Sequence, residues 1–321
     1  MSNQPESKGI RPHTPPDGQP KPKKKQRTRH RSPMTKAVIS TLQFGFIFYA
    51  ALVIALMLLE TRLVYPGAYM GDDAGRQLNA SAGIETVEYA TTDRLTLSGR
   101  LLERPGSDRI VLVFHGNAQK AMWLDGWLLQ IAEAFDATTM MAEYRGYADE
   151  KTPSETGVVA DCLAARDFLC ERFDKKPTDI ILFGRSLGGG CAVAVAASDG
   201  AAGLILDRTF DSTVNVAAGK YPFVPVKFLM KNRFDSLARI TVYDGPLVSV
   251  HGTNDEVIPV ENGRRVYDRA RGPKRWIQPE NFGHLDPMPI ELYQQIAAEL
   301  NQMLDSEDEP TPKADNEATQ P

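Results

Sequence analysis

The 321-residue chain predicts an α/β fold, a mostly parallel sheet with helices on both faces, and three observations carry that reading. Short apolar runs alternate with helix-length stretches from about residue 109 to residue 304. One such run, Ile180-Ile181-Leu182-Phe183, leads into Gly184-Arg185-Ser186-Leu187-Gly188 and then into the small residues Gly189 to Ala197. That places a serine on a sharp turn from a buried strand into a helix. An acid and a histidine come later in the chain, each at the end of a further strand, and in an open parallel sheet such strand ends gather at one edge.

Taken in chain order, residues 1–36 hold ten basic residues against Glu6 and Asp17, a net of +8, so that with −4 overall residues 37–321 carry −12. This stretch is proline-rich and nearly free of large apolar residues, so disorder is expected. Ala37 to Leu59 is a run of 23 residues without a charge, and at ~1.5 Å per residue it can cross a bilayer core of about 30 Å. Its length argues against a buried core helix. The long preceding tail, and the lack of a small-x-small site before Tyr65-Pro66, argue against a cleaved signal peptide. The reading is an uncleaved transmembrane signal anchor whose basic side stays in the cytoplasm, with everything after Glu60 on the far face. A nucleic-acid-binding arm would also explain the basic cluster, but the neighbouring span accounts for it without a second function, and no nucleic-acid partner is expected. Attraction of Lys23-Lys24-Lys25 to anionic headgroups is a secondary role.

Between Glu85 and Leu102 the alternation of apolar and polar residues predicts an antiparallel hairpin with Thr92-Asp93 near its turn. Strands are then expected at 109–114, 138–143, 179–183, 203–206, 246–250 and 274–278, and helices near 121–135, 156–172, 187–198, 261–270 and 289–304. The stretch Phe210 to Tyr243 breaks the rhythm and is expected to form a small cap that shapes a pocket, with ordinary core packing of its aromatics as the alternative. The acidic end, Asp305 to Pro321, is expected to be disordered. Cys162, Cys170 and Cys191 sit among apolar residues and read as buried small side chains, with Cys191 close enough to the elbow for a thiol reagent to crowd Ser186. Metal-ligand spacing and a Gly-rich dinucleotide motif are both lacking in the sequence, so no cofactor is expected.

The chemistry-bearing residues sit at the strand ends of this frame. Gly184 and Gly188 allow the tight turn at Ser186, and Leu187 begins a helix with its N–H free to meet an oxyanion. Asp255 ends a β-rich run in Gly252-Thr253-Asn254-Asp255, and His284 comes after a short strand in Phe282-Gly283-His284. Upstream, Ile110 to Phe114 runs into His115-Gly116-Asn117-Ala118, where the N–H of Asn117, or less readily Ala118, pairs with that of Leu187. Asp207 is the substitute acid; Glu256 is expected to point away. His115 and His251 read as structural, and Arg145 as a stiffener of the strand edge.

These segments, together with Glu60-Thr61-Arg62-Leu63-Val64-Tyr65-Pro66, Tyr144-Arg145-Gly146-Tyr147 and Pro153-Ser154-Glu155, resemble the α/β-hydrolase superfamily, and within it the membrane-anchored serine hydrolases that include protein depalmitoylases. The resemblance runs from about Arg62 to Leu304 and implies an α/β-hydrolase domain over residues 61–304. Asn117-Ala118-Gln119 stands where members commonly have a second glycine, and Asp207-Arg208-Thr209-Phe210 where many have Glu-Asn-Thr-Phe. The expected activity is that of a serine hydrolase of carboxylic esters or thioesters working through an acyl-enzyme, with Ser186 as nucleophile, His284 as base and Asp255 as orienting acid. Membrane tethering would favour amphiphilic substrates. A serine peptidase and a non-catalytic, membrane-tethered binding module on the same scaffold are the competing readings.

Overall fold

A computed structural model describes residues 32–71 and 83–308. The basic tail up to residue 31 and most of the acidic end lie outside the described residues. The first element, α1 (Pro33–Val64), has no buried residue, and its most apolar window reaches a mean hydropathy of 2.4. By length and composition it can cross a membrane. The helix outruns the charge-free stretch at both ends and stops just before Tyr65-Pro66, because a residue preceding proline is driven out of the α region. The compact α/β unit begins inside this helix, at Leu52.

The sheet has eight strands among the described residues. They are β1 (Ile84–Ala90), β2 (Thr96–Leu102), β3 (Ile110–Phe114), β4 (Thr138–Ala142), β5 (Ile180–Arg185), β6 (Gly203–Asp207), β7 (Leu247–Val250) and β8 (Lys274–Ile277), in the spatial order β1-β2-β4-β3-β5-β6-β7-β8. The β1–β2 hairpin and the β2–β4 pair are antiparallel and the other pairs are parallel. Thr91 closes the hairpin turn, its N–H donating to the Leu95 carbonyl at 2.8 Å and its hydroxyl accepting from the Leu95 N–H at 3.0 Å.

Helices α2 (Asp125–Phe135) and α9 (Ile290–Asp308) cover one face, and α3 (Glu155–Phe173), α4 (Leu187–Asp199) and α8 (Val260–Arg269) the other. Alternation along β3 divides the core: Ile110, Leu112 and Phe114 join the α3/α4 side, and Val111 and Val113 the α2/α9 side. Burial on both faces explains why the central strands read as continuous apolar runs. The three cysteines are unbridged; Cys162 and Cys191 are fully buried.

The stretch after β6 forms three short helices, α5 (Thr213–Lys220), α6 (Val226–Leu229) and α7 (Ser236–Arg239). It is tied to the last turns of α1. One carboxylate oxygen of Glu60 accepts from the N–H of Lys231 (2.8 Å), the N–H of Asn232 (2.8 Å) and the Asn232 side-chain amide (3.0 Å). Asn232 in turn accepts from the Tyr65 hydroxyl and the Glu155 N–H. Residues 52–59, the last part of the stretch read from the sequence as an anchor, lie in the same compact unit as the sheet.

Candidate active site

Ser186 sits between β5 and α4 with φ 55° and ψ −117°, a left-handed conformation that costs a non-glycine residue on the order of 1–3 kcal/mol. The surroundings hold it there. Its N–H donates to the Asp207 carbonyl (2.9 Å) and its carbonyl accepts from the Gly189 N–H (3.0 Å) and the Thr209 hydroxyl (3.1 Å). A Cβ at Gly184 would overlap the Gly188 carbonyl, and one at Gly188 would overlap the Phe114 carbonyl. Both glycines are thus demanded by close backbone approach.

The sequence-expected partners converge on this turn. His284 Nε2 lies 3.1 Å from Ser186 Oγ, and His284 Nδ1 lies 2.7 Å from Asp255 Oδ2. The other Asp255 oxygen accepts the N–H groups of Val257 (2.9 Å) and Ile258 (2.8 Å). Burial pushes the Asp255 carboxyl upward, but hydrogen bonds from His251, His284 and the Ile258 N–H outweigh it and hold the group below the ordinary carboxylate range. An ionised carboxylate on Nδ1–H leaves Nε2 as an acceptor for the Ser186 hydroxyl proton.

Asn117 and Leu187 line the same cavity as Ser186. Neither backbone N–H has an acceptor among the described residues. A Cβ built on Gly116 would stand 3.7 Å from Ser186 Cβ, so this loop passes directly beside the serine. The loop is fixed from behind. The Asn117 carbonyl accepts from the Gly67 N–H (2.9 Å) and the Tyr147 hydroxyl (2.8 Å), and its side-chain amide donates to the Val64 carbonyl (3.2 Å).

The remaining polar residues are scaffold. His115 turns its ring nitrogens to Glu143 Oε1 (2.9 Å) and the Gly116 carbonyl (2.8 Å). His251 Nε2 faces the Ile258 carbonyl (2.9 Å) and, at 3.3 Å, Asp255 Oδ2, so it also steadies the acid, which its sequence position did not reveal. Arg145 spans Asp161 and Asp93. Asp207, the substitute acid, is engaged by Arg208 through both carboxylate oxygens (2.8 and 3.0 Å) and approached by Arg185 at 3.7 Å.

Those two arginines are what sequence reasoning missed. Arg208 donates to the carbonyls of Gly283 (2.9 Å) and Asp286 (2.8 Å), and Arg185 to that of His284 (2.9 Å). Together they clamp the histidine loop from beneath. Arg208 also stacks on Phe282, its guanidinium carbon 4.6 Å from the ring centre.

Beside Ser186 opens a cavity of about 270 Å³, near the lower limit for ligand pockets. Its walls are mostly apolar and come from two sources. Val53, Leu56 and Met57 of α1 form one, and Val216, Val224 and Leu229 of the stretch after β6 form the other. Among the described residues no group of His, Cys, Asp and Glu could hold a metal ion.

No protein-family model matches the chain. Alpha/beta hydrolase domain-containing protein 17C of Xenopus tropicalis is 31% identical over 235 residues, 72% of this chain and 72% of that protein. The chain belongs to the α/β-hydrolase superfamily. The hydrolase is also 32% identical to an uncharacterized protein of Mycobacterium tuberculosis over 233 residues, 71% of this chain and 81% of that one. In fold it matches an esterase of Pyrococcus furiosus with a TM-score of 0.56 and 19% identity, over 69% of this chain and 93% of the esterase.

Proposed function

We propose that the hydrolase is a membrane-anchored serine esterase or thioesterase that works through an acyl-enzyme. The observation that carries this reading is the hydrogen-bonded row from Ser186 Oγ through the His284 ring to Asp255. In this reading Ser186 Oγ attacks the carbonyl carbon while His284 Nε2 takes its proton. The oxyanion is met by the N–H groups of Asn117 and Leu187, and Asp255 stabilises the imidazolium. His284 then gives its proton to the leaving alcohol or thiol. Water, deprotonated by the same histidine, releases the acid and restores the serine.

The mostly apolar cavity beside Ser186 supports an acyl chain as the group that enters it, in preference to a peptide. Residues 1–36 are assigned as a basic tail, 37–59 as a signal anchor, 61–304 as the hydrolase domain with 210–243 as its cap, and 305–321 as an acidic tail. The Lys/Arg excess before the span supports a cytoplasmic N-terminus and a catalytic domain on the opposite face.

The test is covalent labelling of the full chain by a fluorophosphonate probe, then hydrolysis of p-nitrophenyl esters from acetate to palmitate. Labelling that vanishes in Ser186→Ala supports the reading. An unlabelled wild-type chain would instead favour a binding module.

A further inference from the structure

The capping segment shows two kinds of side chain. Tyr221, Val224, Leu229 and Met230 line the cavity, whereas Phe223 and Phe228 between them are 87% and 89% exposed. Large apolar side chains displayed together mark an interaction surface. Lys220, Lys227, Lys231 and Arg233 flank them along the chain, all exposed. Residues 212–233 contain no Asp or Glu, within a region of the chain that is otherwise strongly acidic. Exposed aromatics interspersed with cations along one segment match the boundary between acyl chains and anionic headgroups.

The position of the segment agrees with its composition. Glu60, at the point where the charge-free run of α1 ends, accepts from Lys231 and Asn232 at the segment's end. Val53 shares the cavity walls with Tyr221 and Val224. Glu60 is seven helical steps beyond Val53, about 10 Å along the axis, so the cap rises that far beside the apolar run. Interfacial elements bury their apolar side chains to a similar depth, about 5–10 Å.

We propose that residues 220–231 form a second membrane contact, with Phe223 and Phe228 inserted below the headgroups of the leaflet that α1 enters and the lysines among anionic phosphates. The proposal rests on reading α1 as a membrane span. Its occupant is a lipid surface, and the cavity beside Ser186 then has a wall at acyl-chain depth.

The test uses the full chain in phosphatidylcholine vesicles containing phosphatidylglycerol, with Phe228→Trp compared with wild type. The added emission is expected to be blue-shifted and quenched by lipids brominated near the headgroup, and less so when phosphatidylglycerol is left out. Water-like emission that no brominated lipid quenches would overturn the contact, as would release of the chain from vesicles by alkaline carbonate. This readout needs no turnover, so a chain that hydrolyses nothing would sink the proposed activity while quenching still decides the contact. In a second arm, Phe223→Ser/Phe228→Ser should slow hydrolysis of a vesicle-borne long-chain ester severalfold and leave soluble p-nitrophenyl acetate unaffected. An equal fall on both substrates would assign the pair to folding and overturn the proposal.

Discussion

The strand-end rim and the cap-side wall meet at Ser186 but are built on opposite principles. At the rim, Ser186, His284 and Asp255 are placed by directional hydrogen bonds, and Arg185 and Arg208 fasten the histidine loop through three backbone carbonyls. Across the cavity, Val53, Leu56 and Val224 offer shape and apolar surface with little direction. Directional contacts fix chemistry, whereas apolar walls grade substrates by size. Rate and chain-length preference should therefore respond to different substitutions.

The sharpest way to break this comparison lies at the rim. Ser186→Ala and His284→Ala should each lower kcat for every ester by about 10⁴-fold or more, with unchanged circular dichroism, since a triad acts as one unit. A chain-length-dependent loss would contradict the separation of roles. Arg208→Met leaves Asp207 buried with Arg185 at 3.7 Å as its nearest cation, and breaking a buried pair costs about 3–5 kcal/mol. Urea unfolding should register that loss, and kcat should fall equally for short and long esters.

The wall should behave in the converse way. Val224→Trp, which fills the cavity, should lower kcat/KM for long-chain esters about tenfold or more while acetate hydrolysis changes little, as steric discrimination in apolar pockets predicts. Glu60→Ala strands the N–H groups of Lys231 and Asn232 and should cost about 1–3 kcal/mol in thermal unfolding, again without a matching loss on acetate.

The smallest effect is a pH dependence. Because the folded Asp255 carboxyl lies below its unfolded value of 3.8, its contribution to stability is present above that pH and fades as pH falls below it. Asp255→Asn should flatten the stability profile in that acid range, measured by chemical denaturation between pH 2 and about 5.

The strands and the Ser, Asp and His positions were legible because each carries a local signature. Ile180–Phe183 is a continuous apolar run, and Gly184 and Gly188 bracket the serine turn at two positions that admit no Cβ. The clamp under the histidine loop was not legible, because Arg185 and Arg208 bind backbone carbonyls, which every residue possesses and no sequence pattern marks. The tie between Glu60 and Asn232 was hidden for a different reason. Its partners stand 172 residues apart, beyond any helical or strand periodicity. The end of α1 at Val64 lies beyond the charge-free stretch because Leu59 marks an apolar limit, whereas Pro66 sets where the helix stops.

One asparagine draws these regions together. Asn117 receives Gly67 N–H on its carbonyl and gives its side-chain amide to the Val64 carbonyl, so the end of α1 is strapped to the loop that borders the serine. Trimming the polypeptide from its N-terminal side is then not a neutral operation. A version that starts past Val64 loses the side-chain half of the strap, and one that starts past Met57 already loses Val53, Leu56 and Met57 from the cavity wall.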